Sequence, residues 1–248
     1  MSKPKKSELN SRSDNPLPFI LPLIAFMIIA QFHPDFAESL TVEEGEVPDM
    51  TKTWWYLGMI GFEIVLSIGL LVWFRKVYLE HFPLKFSPLA IVAGVVGIVL
   101  WIVLCGLGLE PPLLKAIGMD MSRPSFNPFT IGDDTVRLTF IVLRFTMLAA
   151  MIPIIEELFI RGWLVRWIEN PSWENIRLDA LGPKALVAAS IYGVATHPSE
   201  ALAAIVWFGL VTILVYRTGN LWDAVVAHAV TNFLLGVYVM WFAQWHLW

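Results

Sequence analysis

The chain has little charge and almost no cysteine. Only 15% of its 248 residues are Asp, Glu, Lys or Arg, and the formal net charge is −4, so nothing in the composition indicates nucleic-acid binding. The single cysteine, Cys105, lies within an apolar run, which excludes a disulfide framework and a cysteine metal site. The sequence also lacks internal repeats and low-complexity segments, which disfavours a transporter built from broken repeats.

Apolar residues are abundant instead. They make up 57% of the chain, and the mean hydropathy is +0.65, whereas soluble domains contain about 45–50% apolar residues. We therefore predict an all-α fold, a polytopic transmembrane helical bundle with about seven spans. The predicted spans are 16–32, 54–74, a stretch within 86–109, 137 to about 166, a short helix 185–196, 201–216 and 221–243.

The charges between these spans predict the domain organisation and the topology. Residues 1–15 are expected to form a disordered cytoplasmic tail, 16–136 an N-terminal transmembrane region with acidic outer loops, and 137–248 a second transmembrane region. An inside N-terminus places twelve of the 17 Lys and Arg residues on the cytoplasmic side and four outside, with Arg144 buried. This bias predicts a cytoplasmic N-terminus and an outside C-terminus, anchored by Trp241, Trp245 and Trp248.

Two adjacent carboxylates, Glu156 and Glu157, stand in an otherwise apolar helical run. Ionisable groups inside a membrane are costly and are therefore functional candidates. Glu157 and Arg161 are four residues apart, which favours an ion pair along one helix face, whereas Glu156 points about 100° away. We interpret Glu157 as structural and Glu156 as the working carboxylate, with a helix kink at Pro153. The alternative is that both acids lie in a hydrated interfacial zone.

Two other polar groups fall at a similar depth. His197 and His228 would lie on two further helices, roughly 15–20 Å from the cytoplasmic flanking charges, as Glu156 does. Asn232 follows His228 by four residues and shares its helix face. A carboxylate and a histidine that share a water, with an amide donor for the developing oxyanion, suit hydrolysis. Zinc held by Glu156, His197 and His228 is the competing use of these groups, and interhelical hydrogen bonding is the structural one.

A second pair of charges, Glu63 and Arg144, is expected to form a buried structural ion pair between two spans. Neither group belongs to the set at the level of Glu156. This prediction concerns stability rather than catalysis.

These residues carry a resemblance to a family of intramembrane proteases. Glu156-Glu157-Leu158-Phe159-Ile160-Arg161 resembles the EExxxR motif of the CAAX-protease and bacteriocin-processing (CPBP, Abi) family, and His228 to Asn232 matches its HxxxN motif. The FxxxH motif is matched with a shift, because Tyr192 lies five residues before His197. The resemblance covers about 138–240, and the stretch 231–238 resembles the subgroup that accompanies bacterial exosortase systems.

The resemblance implies an intramembrane endopeptidase of the bacterial inner membrane. Glu156 would activate water with help from His197, while His228 and Asn232 stabilise the oxyanion and Glu157 and Arg161 support the site. No cofactor is expected, and the expected partners are the bilayer, a peptide or membrane-protein substrate cleaved near the cytoplasmic face, and exosortase-system proteins. The alternative is a non-catalytic or immunity-type membrane partner that retains the motifs.

Overall fold

The computed structural model describes residues 15–33, 50–116, 118 and 126–247. Within those ranges the chain is an all-α polytopic transmembrane bundle without a strand. The predicted tail 1–15 lies outside the described residues except for Asn15, as do most of the acidic loop 33–53 and Trp248.

Eight helices form in the described part of the chain. They are α1 (Leu17–Ala30), α2 (Met50–His81), α3 (Pro88–Cys105), α4 (Glu110–Ala116), α5 (Asp134–Glu169), α6 (Pro183–Thr196), α7 (Ala201–Thr218) and α8 (Leu221–Phe242). All but α4 correspond to the predicted apolar segments. The short α4 falls in the predicted outer loop.

Length separates the helices into two groups. Five of them, α2, α3, α5, α7 and α8, are long and apolar enough to cross a membrane. Helices α1 and α6 have 14 residues each and rise about 21 Å, less than the roughly 30 Å of a hydrocarbon core. These five long and two short apolar helices are the seven segments expected from hydropathy.

Helix α5 contains two π-helical turns, the first of which ends two residues before Pro153, where a kink was predicted. The turns are Met147–Met151 and Ile160–Leu164, on either side of the α-helical segment Ile152–Phe159. In the first turn the Ile152 N–H donates to the Met147 carbonyl, five residues back. Such turns insert an extra residue and often occur at functional sites. They change which side chains of α5 face the bundle centre.

The helices α3, α7 and α8 pack closely against one another. A β-carbon on Gly94 of α3 would lie 2.7 Å from the Ala227 carbonyl oxygen of α8, and one on Gly97 would lie 2.9 Å from Trp207 of α7. Small residues permit this close approach of helices within a membrane. The crossing places the middle of α8 against the middle of α3.

Loop contacts define the two ends of the bundle. At one end, Asn220 Nδ2 donates to the Lys85 carbonyl (2.8 Å), and the Ser87 N–H donates to Asp223 (2.6 Å). We call this the proximal end, comprising 82–87, 170–182 and 219–220. At the opposite, distal end (106–116, 118, 126–133, 197–200 and 243–247), Glu110 accepts from the Leu202 N–H at 2.8 Å.

One predicted ion pair is different in the structure. Glu63 is buried, and its Oε2 lies 3.3 Å from His33 Nε2 rather than in the predicted pair with Arg144. Arg144 instead lines the cavity at the centre of the bundle. The two groups lie on different helices, and packing rather than sequence decides which charges meet.

Candidate active site

Glu157 and Arg161 form the predicted ion pair, and both side chains are fully buried. Arg161 Nη1 donates to both Glu157 carboxylate oxygens at 2.9 Å. Its Nη2 donates to the Phe208 carbonyl (3.0 Å) and to Thr212 Oγ1 (3.3 Å). The pair therefore ties α5 to α7, and these contacts offset part of the desolvation of a buried charge.

His228 is attached to the same carboxylate. Its Nδ1 lies 3.1 Å from Glu157 Oε1, and its ring meets the Trp207 ring edge-on at 4.5 Å between centroids. Since the carboxylate bound to Arg161 only accepts, His228 donates through Nδ1–H. This fixes the ring and leaves Nε2 as the nitrogen available to the cavity.

Glu156 faces a different partner. Tyr192 of α6 donates its hydroxyl to Glu156 Oε1 at 3.1 Å. The Tyr192 ring is held between Phe159 (5.8 Å between centroids) and Phe208 (5.7 Å). Thus the aromatic residue at the shifted spacing does reach the working carboxylate.

The shift is tolerated because α6 ends at Thr196. His197 follows with φ −134° and ψ 59°, outside helical geometry, so the expected rotation of about 100° between Tyr192 and His197 does not apply. The His197 Nδ1 lies 2.9 Å from Thr196 Oγ1, and its ring packs edge-on against Trp101 (5.4 Å).

Asn232 supplies a hydrogen bond that the backbone of α5 lacks. The five-residue register of the first π turn would pair the Leu148 carbonyl with the nitrogen of Pro153, which carries no hydrogen. Asn232 Nδ2 donates to this carbonyl at 2.9 Å. Because the amide has two N–H groups, one remains for a ligand in the cavity.

The four predicted residues Glu156, His197, His228 and Asn232 line one cavity of about 290 Å³. They come from α5, from the end of α6 and from α8. The aromatic side chains of Trp101, Trp207 and Phe208 also line this cavity. The structure therefore brings together, around one cavity, the three residues that the sequence placed at a similar depth in the membrane, together with Asn232.

Two charged residues of this wall, Arg144 and Glu200, were not predicted to lie at the site. Glu200 is buried in the single 3₁₀ turn between α6 and α7. The available signal was an acid two residues after Pro198 and directly before an uncharged run. An ionisable residue in such a position is a site candidate.

The alternative zinc site is not assembled. Among the residues that the structure describes, no three His, Cys, Asp or Glu side chains are grouped to hold a metal ion. As placed, Glu156, His197 and His228 therefore do not fit the three-ligand site that zinc requires.

Together, the fold and the cavity define a polytopic membrane protein with a buried polar site. Residues 138–234 match the model of the type II CAAX prenyl endopeptidase Rce1-like family. This match includes all four cavity residues and supports a protease of the CAAX-protease and bacteriocin-processing family. Comparison with curated proteins and with solved structures gave no match.

Proposed function

We propose that this protein is an intramembrane endopeptidase in which Glu156 activates a water molecule. The observation that carries the proposal is the convergence of Glu156, His197, His228 and Asn232 on one cavity. A second support is the family match over 138–234. Interhelical packing alone would not require these groups to face a common space.

The reaction is hydrolysis of a peptide bond. Glu156 takes one proton from the water as the water oxygen bonds to the carbonyl carbon, and the carbonyl oxygen becomes an oxyanion. The carbon–nitrogen bond then breaks, and Glu156 returns the proton to the leaving nitrogen. The products are a carboxylic acid and an amine. His197 assists by holding the attacking water.

Asn232 and His228 stabilise the oxyanion in this proposal. Asn232 offers the N–H that is not bound to Leu148. A protonated His228 donates through both nitrogens, Nδ1 to Glu157 and Nε2 to the oxyanion. Donors held in place before the reaction lower the barrier because they need little reorganisation.

Tyr192 and Glu157 act as positioning residues. The Tyr192 hydroxyl holds one oxygen of Glu156 and leaves the other for water, while Glu157 orients His228. Arg161 holds the Glu157 carboxylate in place. No step requires a metal or a cofactor.

The biological setting follows from the resemblance at 231–238. We propose a bacterial inner-membrane enzyme associated with an exosortase system, acting on a peptide or membrane-protein substrate. Neither nucleic acid nor a cofactor is a partner in this proposal. The bilayer is the medium in which enzyme and substrate meet.

The direct test is hydrolysis by the purified protein in lipid vesicles. A library of quenched fluorescent peptides with apolar sequences serves as the probe, in water enriched in ¹⁸O. Activity should place one ¹⁸O atom in the new carboxylate, and Glu156→Gln should abolish it. Glu80→Gln, a change at an exposed acid of α2, is the matched control. Equal cleavage by wild type and Glu156→Gln would reject the role of Glu156, and no cleavage by the wild type would favour a non-catalytic membrane partner.

A further inference from the structure

We infer that the candidate site is reached from the distal end of the bundle, and that this end faces away from the cytoplasm. Resting on the proposed function, this assigns the substrate class: a peptide segment exposed at the non-cytoplasmic face of the membrane. The sequence alone led us to expect cleavage near the cytoplasmic face.

The direction of the cavity is the first observation. From Glu156 the cavity wall continues to Thr196 and Glu200, which lie at the connection between α6 and α7. It also includes Val239 and Leu247, near and beyond the end of α8. Thr196 is exposed. No residue of the proximal loops 82–87, 170–182 and 219–220 lines this cavity in the part of the chain that the structure describes.

The packing on the other side of Glu156 is the second observation. Toward the proximal end, the next turns of α5 carry Leu158, Ile160 and Val165, whose exposed fractions are 1%, 0% and 0%. At the same level of the bundle, Arg161 is buried and bonds to Glu157 and to the α7 backbone. Water and a peptide chain therefore have a route from the distal end and a packed core at the proximal end.

The charge difference between the ends is the third observation. Leaving aside Arg144 and Arg161 inside the bundle, the described Lys and Arg residues divide into seven toward the proximal end and three toward the distal end. The seven are Arg75, Lys76, Lys85, Arg166, Arg177, Lys184 and Arg217, and the three are Lys52, Lys115 and Arg137. Basic residues flanking membrane spans favour the cytoplasmic side. The proximal end is thus assigned to the cytoplasm.

The two results combine into one orientation. Glu156 lies ten residues from Arg166, about 15 Å along the helix and near the middle of a hydrocarbon core of roughly 30 Å. The cavity extends from that level away from the basic end. A substrate approaching from the cytoplasm would meet the packed side of the site.

Cysteine accessibility tests this orientation without any need for activity. Cys105 is the single cysteine, so Cys105→Ala provides an unreactive background. Into it are placed His246→Cys at the distal end, Arg177→Cys at the proximal end and Leu235→Cys on the cavity wall, one at a time. Both end positions are exposed. The probe is a small membrane-impermeant thiosulfonate, applied to spheroplasts and to inverted membrane vesicles.

We expect His246→Cys and Leu235→Cys to react in spheroplasts and not in inverted vesicles, and Arg177→Cys to show the reverse. Reaction of Leu235→Cys in inverted vesicles, or of Arg177→Cys in spheroplasts, would overturn the inference. If Leu235→Cys fails to accumulate, Thr196→Cys at the exposed cavity rim takes its place. Adding Glu156→Gln should not change the labelling. Absence of cleavage in the peptide assay thus counts against the proposed function, whereas reversed labelling counts against the orientation alone.

Discussion

Glu156 and Glu157 are adjacent in the chain but lie in different surroundings. Glu157 accepts from Arg161 and His228, deep in the packing between α5, α7 and α8. Glu156 lines the cavity and accepts from the Tyr192 hydroxyl. This contrast predicts that the two carboxylates differ in what they contribute.

Replacing each carboxylate by its amide should separate activity from stability. Glu156→Gln should abolish cleavage with little change in melting temperature, because the amide keeps the shape and loses the base. Glu157→Gln should also destabilise the protein, by roughly 3–5 kcal/mol, since Arg161 is left as an uncompensated buried charge. Peptide cleavage and thermal unfolding in detergent measure the two effects.

The comparison has an internal control in Glu80→Gln, which should alter neither property. Equal loss of folded protein in the two active-site variants would show that the division between a working and a structural carboxylate is wrong.

Tyr192→Phe removes the hydroxyl that holds Glu156 and keeps the ring between Phe159 and Phe208. Hydrogen bonds to charged groups contribute about 1.5–3 kcal/mol. Since about 1.4 kcal/mol corresponds to a tenfold change in rate, we expect kcat to fall tenfold or more. KM and the melting temperature should stay close to those of the wild type. Steady-state kinetics measure this split.

Tyr216→Phe, at an exposed tyrosine of α7, is the matched control and should leave kcat unchanged. A Tyr192→Phe enzyme with unaltered kcat would show that the hydroxyl does not position Glu156.

At the scale of one element, the irregular backbone of α5 depends on a side chain of α8. Pro153 and the first π turn leave the Leu148 carbonyl without a backbone donor, and Asn232 supplies one. Asn232→Ala should therefore have two effects. It should lower turnover by around a hundredfold or more through loss of an oxyanion donor, and it should lower stability by about 1–3 kcal/mol through the unsatisfied carbonyl.

A second substitution separates these effects. Pro153→Ala restores a backbone N–H at the position that the Leu148 carbonyl lacks, so Pro153→Ala/Asn232→Ala should regain the lost stability but not the lost turnover. Thermal unfolding and kcat are measured on the same preparations. Recovery of both would mean that Asn232 acts by holding α5 rather than by contacting the reacting atoms.

The crossing of α3 and α8 predicts a strong dependence on one glycine. In Gly94→Ala the new methyl group would lie 2.7 Å from both the Ala227 carbonyl oxygen and Val230 Cβ. The helices must then separate, and overpacking of this kind costs typically 1–3 kcal/mol. The melting temperature should fall, with a loss of activity, since α8 carries His228 and Asn232.

Gly58→Ala in α2 provides the control, because no atom lies within 4 Å of its added β-carbon. That substitution should be neutral, or stabilising by up to about 1 kcal/mol, since alanine favours the helix. Equal effects at the two glycines would contradict the role given to the crossing.

At the scale of the whole molecule, the prediction concerns metal content. The described residues do not gather three metal-ligating side chains, so activity should survive a strong chelator, and the purified protein should contain no stoichiometric metal. Elemental analysis and cleavage assays in EDTA measure this. One zinc per chain, with cleavage abolished by EDTA and restored by zinc, would instead reassign Glu156, His197 and His228 as ligands.

Much of the architecture could be predicted from the sequence because its causes are local. Apolar runs long enough for a membrane appear directly in hydropathy, and the described helices follow them. The Glu157–Arg161 pair follows from a spacing of four residues on one helix. Glu156, His197 and His228 could be associated by depth, because the rise of a helix converts sequence distance into position along the membrane normal. Asn232 shares the helix face of His228, and all four residues line one cavity.

The contacts between helices could not be predicted from the sequence in this way. Tyr192 was expected to be rotated away from His197, but α6 ends before that histidine and Tyr192 binds Glu156. Glu63 was expected to meet Arg144, but it lies against His33. These outcomes depend on how each helix is rotated and where it ends, which its own residues specify weakly.

By itself, then, the sequence determined the membrane-spanning class, the positions of the helices and the identities of the polar residues at one depth, since these depend on composition and rise. The tertiary structure decided that His228 meets Glu157, that Asn232 completes the backbone of α5 and that the cavity runs toward the distal end. The physical reason is that two π turns change which side chains of α5 face the bundle centre, and close packing at Gly94 and Gly97 fixes α8 against α3.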